Sequence, residues 1–315
     1  MHRYVAYGVR ITSTVALPGF VRSDTVDAPA FVATLPGDVP VGLGEVLRRR
    51  DEDDNSDAVE VRRPAADALH LSFADGATFY VDAAARRIDG AFRPPLTFDD
   101  ALVYLVGPAL GAALRLLRRS VLHASAVEVD GRALLVMGEA GAGKSTMTAA
   151  LVDRGCPLVT EDVSALDVEG GSPRVLRGGT RVKLWPESVR ALRGRDDALP
   201  LLVPDSVDWH KRFLDCSGHM CREDALPIAA ILSLERGGAD EAPHLTPVTG
   251  HDKLLALLAN GYAARMVRPD DRAAELARLT SIAQHVPLFR MSYADSFAAL
   301  DGAAAAAQGL VAGLG

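Results

Sequence analysis

Apolar and polar residues alternate in short runs as far as about residue 93, which predicts strands joined by turns. Residues 4–14 predict a single opening strand. Leu69-His70-Leu71-Ser72-Phe73 and residues 77–82 flank Asp75-Gly76, whose glycine accepts the positive φ of a tight turn, so this stretch predicts a β-hairpin. The acidic run at 51–57 predicts a solvated loop rather than a metal site, because an extended chain sends near-consecutive carboxylates in alternating directions. Arg93-Pro94-Pro95 closes this region and sets a boundary between a β-rich segment, 1–95, and the remainder, 96–315.

Beyond the boundary the period changes. Thr97, with Asp100 three positions on, has a capping-box pattern. Leu102, Leu105, Val106, Leu110, Leu114 and Leu117 keep helical spacing, and Pro108 is expected to kink or split that segment. From Val121 onward strands and helices alternate. Strands at 121–129 and 132–137 join through Asp130-Gly131, and a helix at 144–154 stops at Gly155. Short strands follow at 157–160 and 163–168, then a strand at 228–234, helices at 252–263 and 272–284, a strand at 288–293 and a terminal helix after Ser296. His251 reads as a helix-start residue and Trp185 as a core anchor. The fold class is α/β with a smaller β-rich N-terminal domain.

One turn in this pattern carries chemistry. Gly138-Glu139-Ala140-Gly141-Ala142-Gly143-Lys144-Ser145, followed by Thr146, fits the phosphate-loop spacing G-x-x-x-x-G-K-[ST] between a buried strand and a helix. Glycines let the backbone curl so that successive N–H groups face an oxyanion, and the helix N-terminus adds its positive end. Lys144 is expected on the β- and γ-phosphates, and Ser145 on Mg²⁺. Glu161-Asp162 ends the next strand, seventeen and eighteen residues after Lys144. Such carboxylates can hold a metal or take a proton from an attacking hydroxyl, and an acidic turn of no catalytic use fits the same residues. His123, fifteen residues before Gly138, is placed to set the charge and orientation of a neighbouring carboxylate.

Composition narrows the partners. The chain has 315 residues, 49% of them apolar and 24% charged, enough for two domains with full cores. A net charge of −7 with scattered arginines argues against nucleic acid as a partner. No apolar run reaches the roughly 18 residues of a membrane span, and residues 1–13 lack a secretory pattern, so no membrane partner is expected and the expected location is cytoplasmic. Cys156, Cys216 and Cys221 cannot all pair with one another, which fits a reducing compartment. His210, Cys216, His219 and Cys221 are separated by five, two and one residues, which matches no common zinc-finger spacing.

Taken together, Leu122-His123-Ala124-Ser125-Ala126, the loop from Gly138 to Thr146, and Arg154-Gly155 followed by Leu158-Val159-Thr160-Glu161-Asp162 resemble the catalytic domain of HPr kinase/phosphorylase. The resemblance covers roughly 97–315, with its sharp motifs within 122–162. It implies a P-loop kinase core of the HPr kinase/PEP carboxykinase-like type, with ATP and Mg²⁺ as cofactors. Tyr7-Gly8-Val9-Arg10-Ile11, Leu17-Pro18 and Lys183-Leu184-Trp185-Pro186-Glu187-Ser188 look closer to a subgroup associated with ribosomally made peptides, including lasso-peptide kinases. That subgroup implies a serine hydroxyl on a precursor peptide as the acceptor, and the wider family implies a homo-oligomer.

Carried over by position, Lys144 and Ser145 take the phosphate and metal roles, Glu161 and Asp162 the acidic pair, and His123 the histidine. Asp162 is the residue assigned to metal or base chemistry, with Glu161 as its partner. The family pair is Asp-Asp, so Glu161 leaves open which acid is base and which serves the metal. Residues 175–181 lack the glutamate of the family's downstream signature, which weakens HPr itself as the acceptor. Lys211 and Arg212, and more weakly Arg181 and Lys183, are candidate contacts to phosphate or substrate. Arg181 and Lys183 share one face of a predicted strand. Three alternatives stay open: a kinase for a small alcohol such as free serine, an HPr-type protein kinase as the wider resemblance implies, and a nucleotide-sensing module that transfers nothing.

Overall fold

A computed structural model describes residues 1–24, 30–40, 44–48, 59–169, 171–204, 210–236, 242–262 and 271–314. The first sheet comprises β1 (His2–Ala6), β2 (Val9–Ser13), β3 (Val21–Arg22), β4 (Phe31–Thr34), β5 (Glu45–Arg48), β6 (Val59–Ala65), β7 (Ala68–Phe73), β8 (Thr78–Asp82) and β9 (Arg87–Ala91). Their order is β3-β1-β2-β4-β9-β8-β7-β6-β5. β7 and β8 form the predicted hairpin. The predicted single strand at 4–14 is instead the hairpin β1–β2, with Ala6 facing Val9 across its end. Tyr7 and Gly8 both have positive φ, 55° and 68°, which reverses the chain in two residues. The acidic run at 51–57 lies outside the described residues.

Thr97 caps α1 (Phe98–Tyr104) through the predicted box, with its side chain accepting from the Asp100 N–H and the Asp100 carboxylate accepting from the Thr97 N–H. Pro108 does split the segment. A π-helical turn at Leu105–Ala109 contains it and leads into α2 (Leu110–Leu116). A proline removes an N–H from the helical ladder, and widening the turn accommodates that loss.

The second part contains β10 (Ser120–Leu122), β11 (Ala124–Val129), β12 (Arg132–Gly138), α3 (Lys144–Asp153), β13 (Leu158–Thr160), β14 (Ser164–Asp167), β15 (Arg174–Leu176), β16 (Arg181–Leu184) and α4 (Pro186–Arg193). It continues through β17 (Arg212–Asp215), β18 (Ala225–Arg236), β19 (His244–Val248), α5 (His251–Ala259), α6 (Arg272–His285), β20 (Leu288–Tyr293) and α7 (Leu300–Ala312). The main path of its sheet is β10-β14-β15-β18-β12-β11-β13, with β20 beside β18 and β19 beside β20. β16 and β17 form a separate antiparallel pair. Alternation along β12 sends Leu134 and Val136 into the core shared with α3 and α7, while Ala133, Leu135 and Met137 enter the core shared with α5 and α6. Coverage on both faces buries β12 and fixes the loop that leaves its end.

A third apolar core joins the first sheet to the second part. Tyr7, Ile11, Phe31 and Phe79 lie in one cluster with Leu102, Leu114, Val121, Val163 and Leu176. The turn at Tyr7 therefore packs into the α/β part, and the Tyr7 N–H donates to the Arg177 carbonyl at 2.7 Å. A Cβ placed on Gly178 would stand 2.2 Å from Thr160 Oγ1 and 2.4 Å from Tyr7 Cε1. Gly178→Ala is accordingly expected to destabilise the protein by about 1–3 kcal/mol, as an overpacked site does. A urea titration checks this, and an unchanged midpoint would show that Tyr7 is not held against Gly178.

Candidate active site

The phosphate loop leaves β12 at Gly138. Gly138, Gly141 and Gly143 all have positive φ, at 145°, 78° and 91°, so the backbone curls as the motif requires and delivers α3 with its N-terminus facing the turn. Lys144 Nζ donates to the carbonyls of Gly138 and Glu139 at 2.8 and 3.0 Å. Thr146 Oγ1 lies 2.9 Å from Ser188 Oγ, which ties the start of α3 to α4.

The acidic pair sits on a strained turn. Asp162 has φ 68°, a left-handed conformation that a non-glycine residue rarely adopts, and Val163 N–H donates back to the Glu161 carbonyl at 2.8 Å. In an extended strand the two side chains would point apart; this turn brings both to one cation. Lys183 Nζ lies 2.7 Å from Asp162 Oδ2 and 3.8 Å from Glu161 Oε2. The two acids then diverge in their other contacts. Ser145 Oγ donates to Glu161 Oε1 at 2.8 Å, whereas Asp162 Oδ1 faces His123 Nε2 at 3.4 Å. Ser145 thus meets Glu161, while Asp162 meets Lys183 and His123. Glu161 is the deeper acid, its side chain 4% exposed against 26% for Asp162.

These surroundings separate the two carboxyls electrically. Burial raises Glu161 to about 7, against the pull of Lys183. Burial acts in the same sense on Asp162, but Lys183 and His123 outweigh it and hold this carboxyl well below the usual range. Burial lowers the His123 imidazole, against the nearby Asp162 carboxylate, which raises it. Lys183 would be lowered by burial, yet the two carboxylates raise it, and it stays charged. Lys144 is lowered by burial, opposed by Asp162 and Glu161.

The remaining candidates divide. Lys211 contributes positive charge at Glu161, Asp162, His123 and Lys144, and its Nζ lies 4.6 Å from the centre of the Trp185 ring. Trp185 is 50% exposed rather than a core anchor, because it sits in extended backbone at the N-cap of α4. Arg212 donates to the Leu199 carbonyl and is not brought to the acids. The Arg181 guanidinium stacks 3.8 Å from the Phe213 ring centre. Cys216 and Cys221 are buried in different cores, and among the described residues no three His, Cys, Asp or Glu side chains gather as a metal site.

Two contributors went unnoticed in the sequence. Asn260 Oδ1 accepts from the Gly138 N–H at 3.2 Å, and the Asn260 carbonyl accepts from the His123 N–H at 2.8 Å, so one residue after α5 links the phosphate loop to the histidine. Nothing in its local sequence marks it. Tyr7 is buried beside Thr160 and Gly179, in the field of Lys183 and Asp162, and burial raises its phenol. The Tyr7-Gly8 pair, a turn signal inside an apparent strand, was its available sign.

Next to the acidic pair lies a cavity of about 380 Å³. Glu161, Asp162 and Lys183 form part of its wall, together with Tyr7 and Phe20 from the first sheet region, Leu102 and Val106 from the α1 region, and Arg181 and Phe213 from the β16–β17 pair.

No protein-family profile matches the sequence. A stretch of 96 residues is 38% identical to HPr kinase/phosphorylase of Lactobacillus delbrueckii subsp. bulgaricus, covering 28% of this chain and 30% of that protein. The match therefore spans less than a third of the relative's length. Among solved structures, the Hpr(Ser) kinase/phosphatase from Coxiella burnetii aligns over 61% of this chain and 94% of its own, at 14% identity and a TM-score of 0.31. Among the described residues, no helix is long and apolar enough to cross a membrane.

Proposed function

We propose that the protein is an ATP-dependent kinase that transfers the γ-phosphoryl group to a serine hydroxyl. The observation that carries this reading is the run of contacts from Ser145 through Glu161 and Lys183 to Asp162 and His123. It connects a phosphate loop at one end with a cavity large enough for an acceptor at the other. The partial similarity to HPr kinase/phosphorylase supports the same chemistry.

The residues fit a magnesium ion. Ser145 offers a hydroxyl, and Glu161 Oε2 is buried with no hydrogen-bond partner. Ser145 and Glu161 would hold the ion, which supplies charge neutralisation at the β- and γ-phosphates. The chain's own part is positioning. Lys144, Lys183 and Lys211 set three positive charges against two carboxylates, a surplus suited to a polyphosphate. Asp162, the more exposed acid, orients the acceptor hydroxyl and takes its proton as the new O–P bond forms and the bond to ADP breaks. His123 keeps Asp162 aimed, and Asn260 ties that histidine to the loop.

The acceptor serine is taken to lie on a ribosomally made precursor peptide of the lasso-peptide type. The support for this finer assignment is the resemblance at Tyr7 to Ile11 and at Lys183 to Ser188, whose first residues, Tyr7 and Lys183, lie by the acidic pair. The test is incubation with γ-labelled ATP and Mg²⁺ alongside three acceptors: a precursor peptide, an HPr protein and free serine. Mass spectrometry should show one phosphoryl group gained on a peptide serine. Label on HPr or on free serine alone would move the acceptor elsewhere, and no label on any hydroxyl would end the kinase reading.

A further inference from the structure

The cavity beside Asp162 contains more than a hydroxyl needs. Away from the acids and Lys183, its wall is formed by Phe20, Leu102, Val103, Val106, Leu202 and Phe213, with Asp99 and Arg181 as the other charged residues. The two aromatic rings are braced: Phe20 packs edge-on against Tyr7 with centroids 6.1 Å apart, and Phe213 is covered by the Arg181 guanidinium. Val106 and Gly107 reach the cavity from the π-helical turn that Pro108 imposes. Several separate parts of the chain thus converge on one mostly apolar chamber that opens on the acids. A wall of this kind, preformed and held by side chains with their own partners, binds apolar surface.

We infer that the acceptor is selected by an apolar group carried next to its hydroxyl, seated among Phe20, Val103, Val106 and Phe213 while the hydroxyl meets Asp162. This rests on the kinase reading above and specifies its acceptor. At about 380 Å³ the chamber has room for an apolar side chain or two beside the hydroxyl carbon. A serine flanked by leucine or phenylalanine in a peptide satisfies the requirement, and so does a free alcohol on a hydrocarbon skeleton. A serine flanked by glutamate or lysine fits less well, because its charge would leave water for a mostly apolar wall whose Asp99 and Arg181 already offset each other's charge. The free amino acid serine brings two charges and no apolar group.

The experiment uses the full chain with Mg-ATP and a set of capped pentapeptides, Ala-X-Ser-X-Ala, in which X is Leu, Phe, Ala, Glu or Lys. Hexan-1-ol and free serine are run as small-molecule arms. The Leu and Phe peptides are expected to exceed the Ala peptide in kcat/KM by roughly tenfold or more, the effect of burying one such side chain. The Glu and Lys peptides should fall below the Ala peptide. Val103 and Leu202 belong to separate segments of the wall, and Val103→Trp and Leu202→Trp each fill part of the chamber while leaving the phosphate loop and the acidic pair unchanged in sequence. Each should lower kcat/KM for the Leu peptide by about tenfold or more while ATP affinity, read by calorimetry, holds within about twofold.

If hexan-1-ol is phosphorylated and no peptide is, the apolar acceptor class stands and its source is a small molecule. If rates are flat across X, or neither tryptophan variant slows the Leu peptide, the inference is overturned while the kinase reading survives. If ATP binds and no hydroxyl in any arm gains phosphate, the kinase reading itself fails and takes this inference with it.

Discussion

Asp162→Asn is expected to slow phosphoryl transfer by roughly a hundredfold to ten-thousandfold and to leave ATP affinity within a factor of about three. Lys144→Ala is expected to weaken ATP binding by about 2–5 kcal/mol, the cost of removing one member of a desolvated charge pair, and to stop transfer with it. The contrast follows from where the two side chains stand. Lys144 sits on the phosphate loop, with its ammonium between the Gly138 and Glu139 carbonyls. Asp162 meets Lys183 and His123, acts on Lys144 through its charge, and borders the cavity. Calorimetry with ATP and a phosphoryl-transfer assay on the same preparations separate the two effects. A nucleotide sensor that transfers nothing predicts the reverse of the first result, with Asp162→Asn retaining whatever the wild type does. Loss of ATP binding in Asp162→Asn equal to that in Lys144→Ala would place Asp162 at the phosphate end, in the role proposed for Glu161.

Which parts of this site were legible in the sequence has a physical explanation. The curl at Gly138–Ser145 was, because its shape is carried by contiguous backbone and therefore by contiguous residues. Glycines at fixed spacing between a buried strand and a helix predict that curl directly. The capping box at Thr97 and the break at Pro108 were legible for the same reason, since both are local. The placement of Lys183 was half legible. Its alternation with Arg181 put the two on one face, and both do border the cavity, but that Lys183 joins the two acids depends on the positive φ of Asp162. Nothing in Thr160-Glu161-Asp162-Val163 announces that turn.

Contacts across the fold were not legible. Asn260 reaches Gly138 over 122 positions, a pairing that exists only because the bridge between Leu122 and Gly261 brings the end of α5 beside β10. Tyr7 was absorbed into a strand it interrupts, because the two-residue turn leaves apolar alternation intact on both sides. That error mattered, since the turn is how the first sheet reaches the acids. Trp185 failed for another reason. Large aromatic residues are usually buried, but extended backbone before Pro186 turns this ring outward against Lys211.

Glu161→Gln is expected to do two opposite things: stabilise the nucleotide-free protein above pH 7 and abolish Mg²⁺-supported transfer. Burial lifts the Glu161 carboxyl from 4.5 to about 7. A group whose folded value is raised gives stability that is fully present below its unfolded value and is lost as pH rises through the folded one. Between pH 4.5 and 7 the unfolded chain releases this proton while the folded protein keeps it, so stability falls by at most about 3 kcal/mol across the window. Glutamine carries no such proton, and its side-chain oxygen can still accept from Ser145. Thermal melts of the variant should therefore lie above the wild type at pH 8 and approach it near pH 5. Adding Mg²⁺ should raise the wild-type melt at pH 8, since a cation beside Ser145 favours the ionised carboxylate, and should leave the variant unmoved. A variant less stable than the wild type at pH 8 would mean that the attraction of Lys183 exceeds the cost of burial, and Glu161 would then be a structural anion in a buried triad. A more stable variant that no longer transfers phosphate would show that the site retains a costly buried charge for the metal it has to hold.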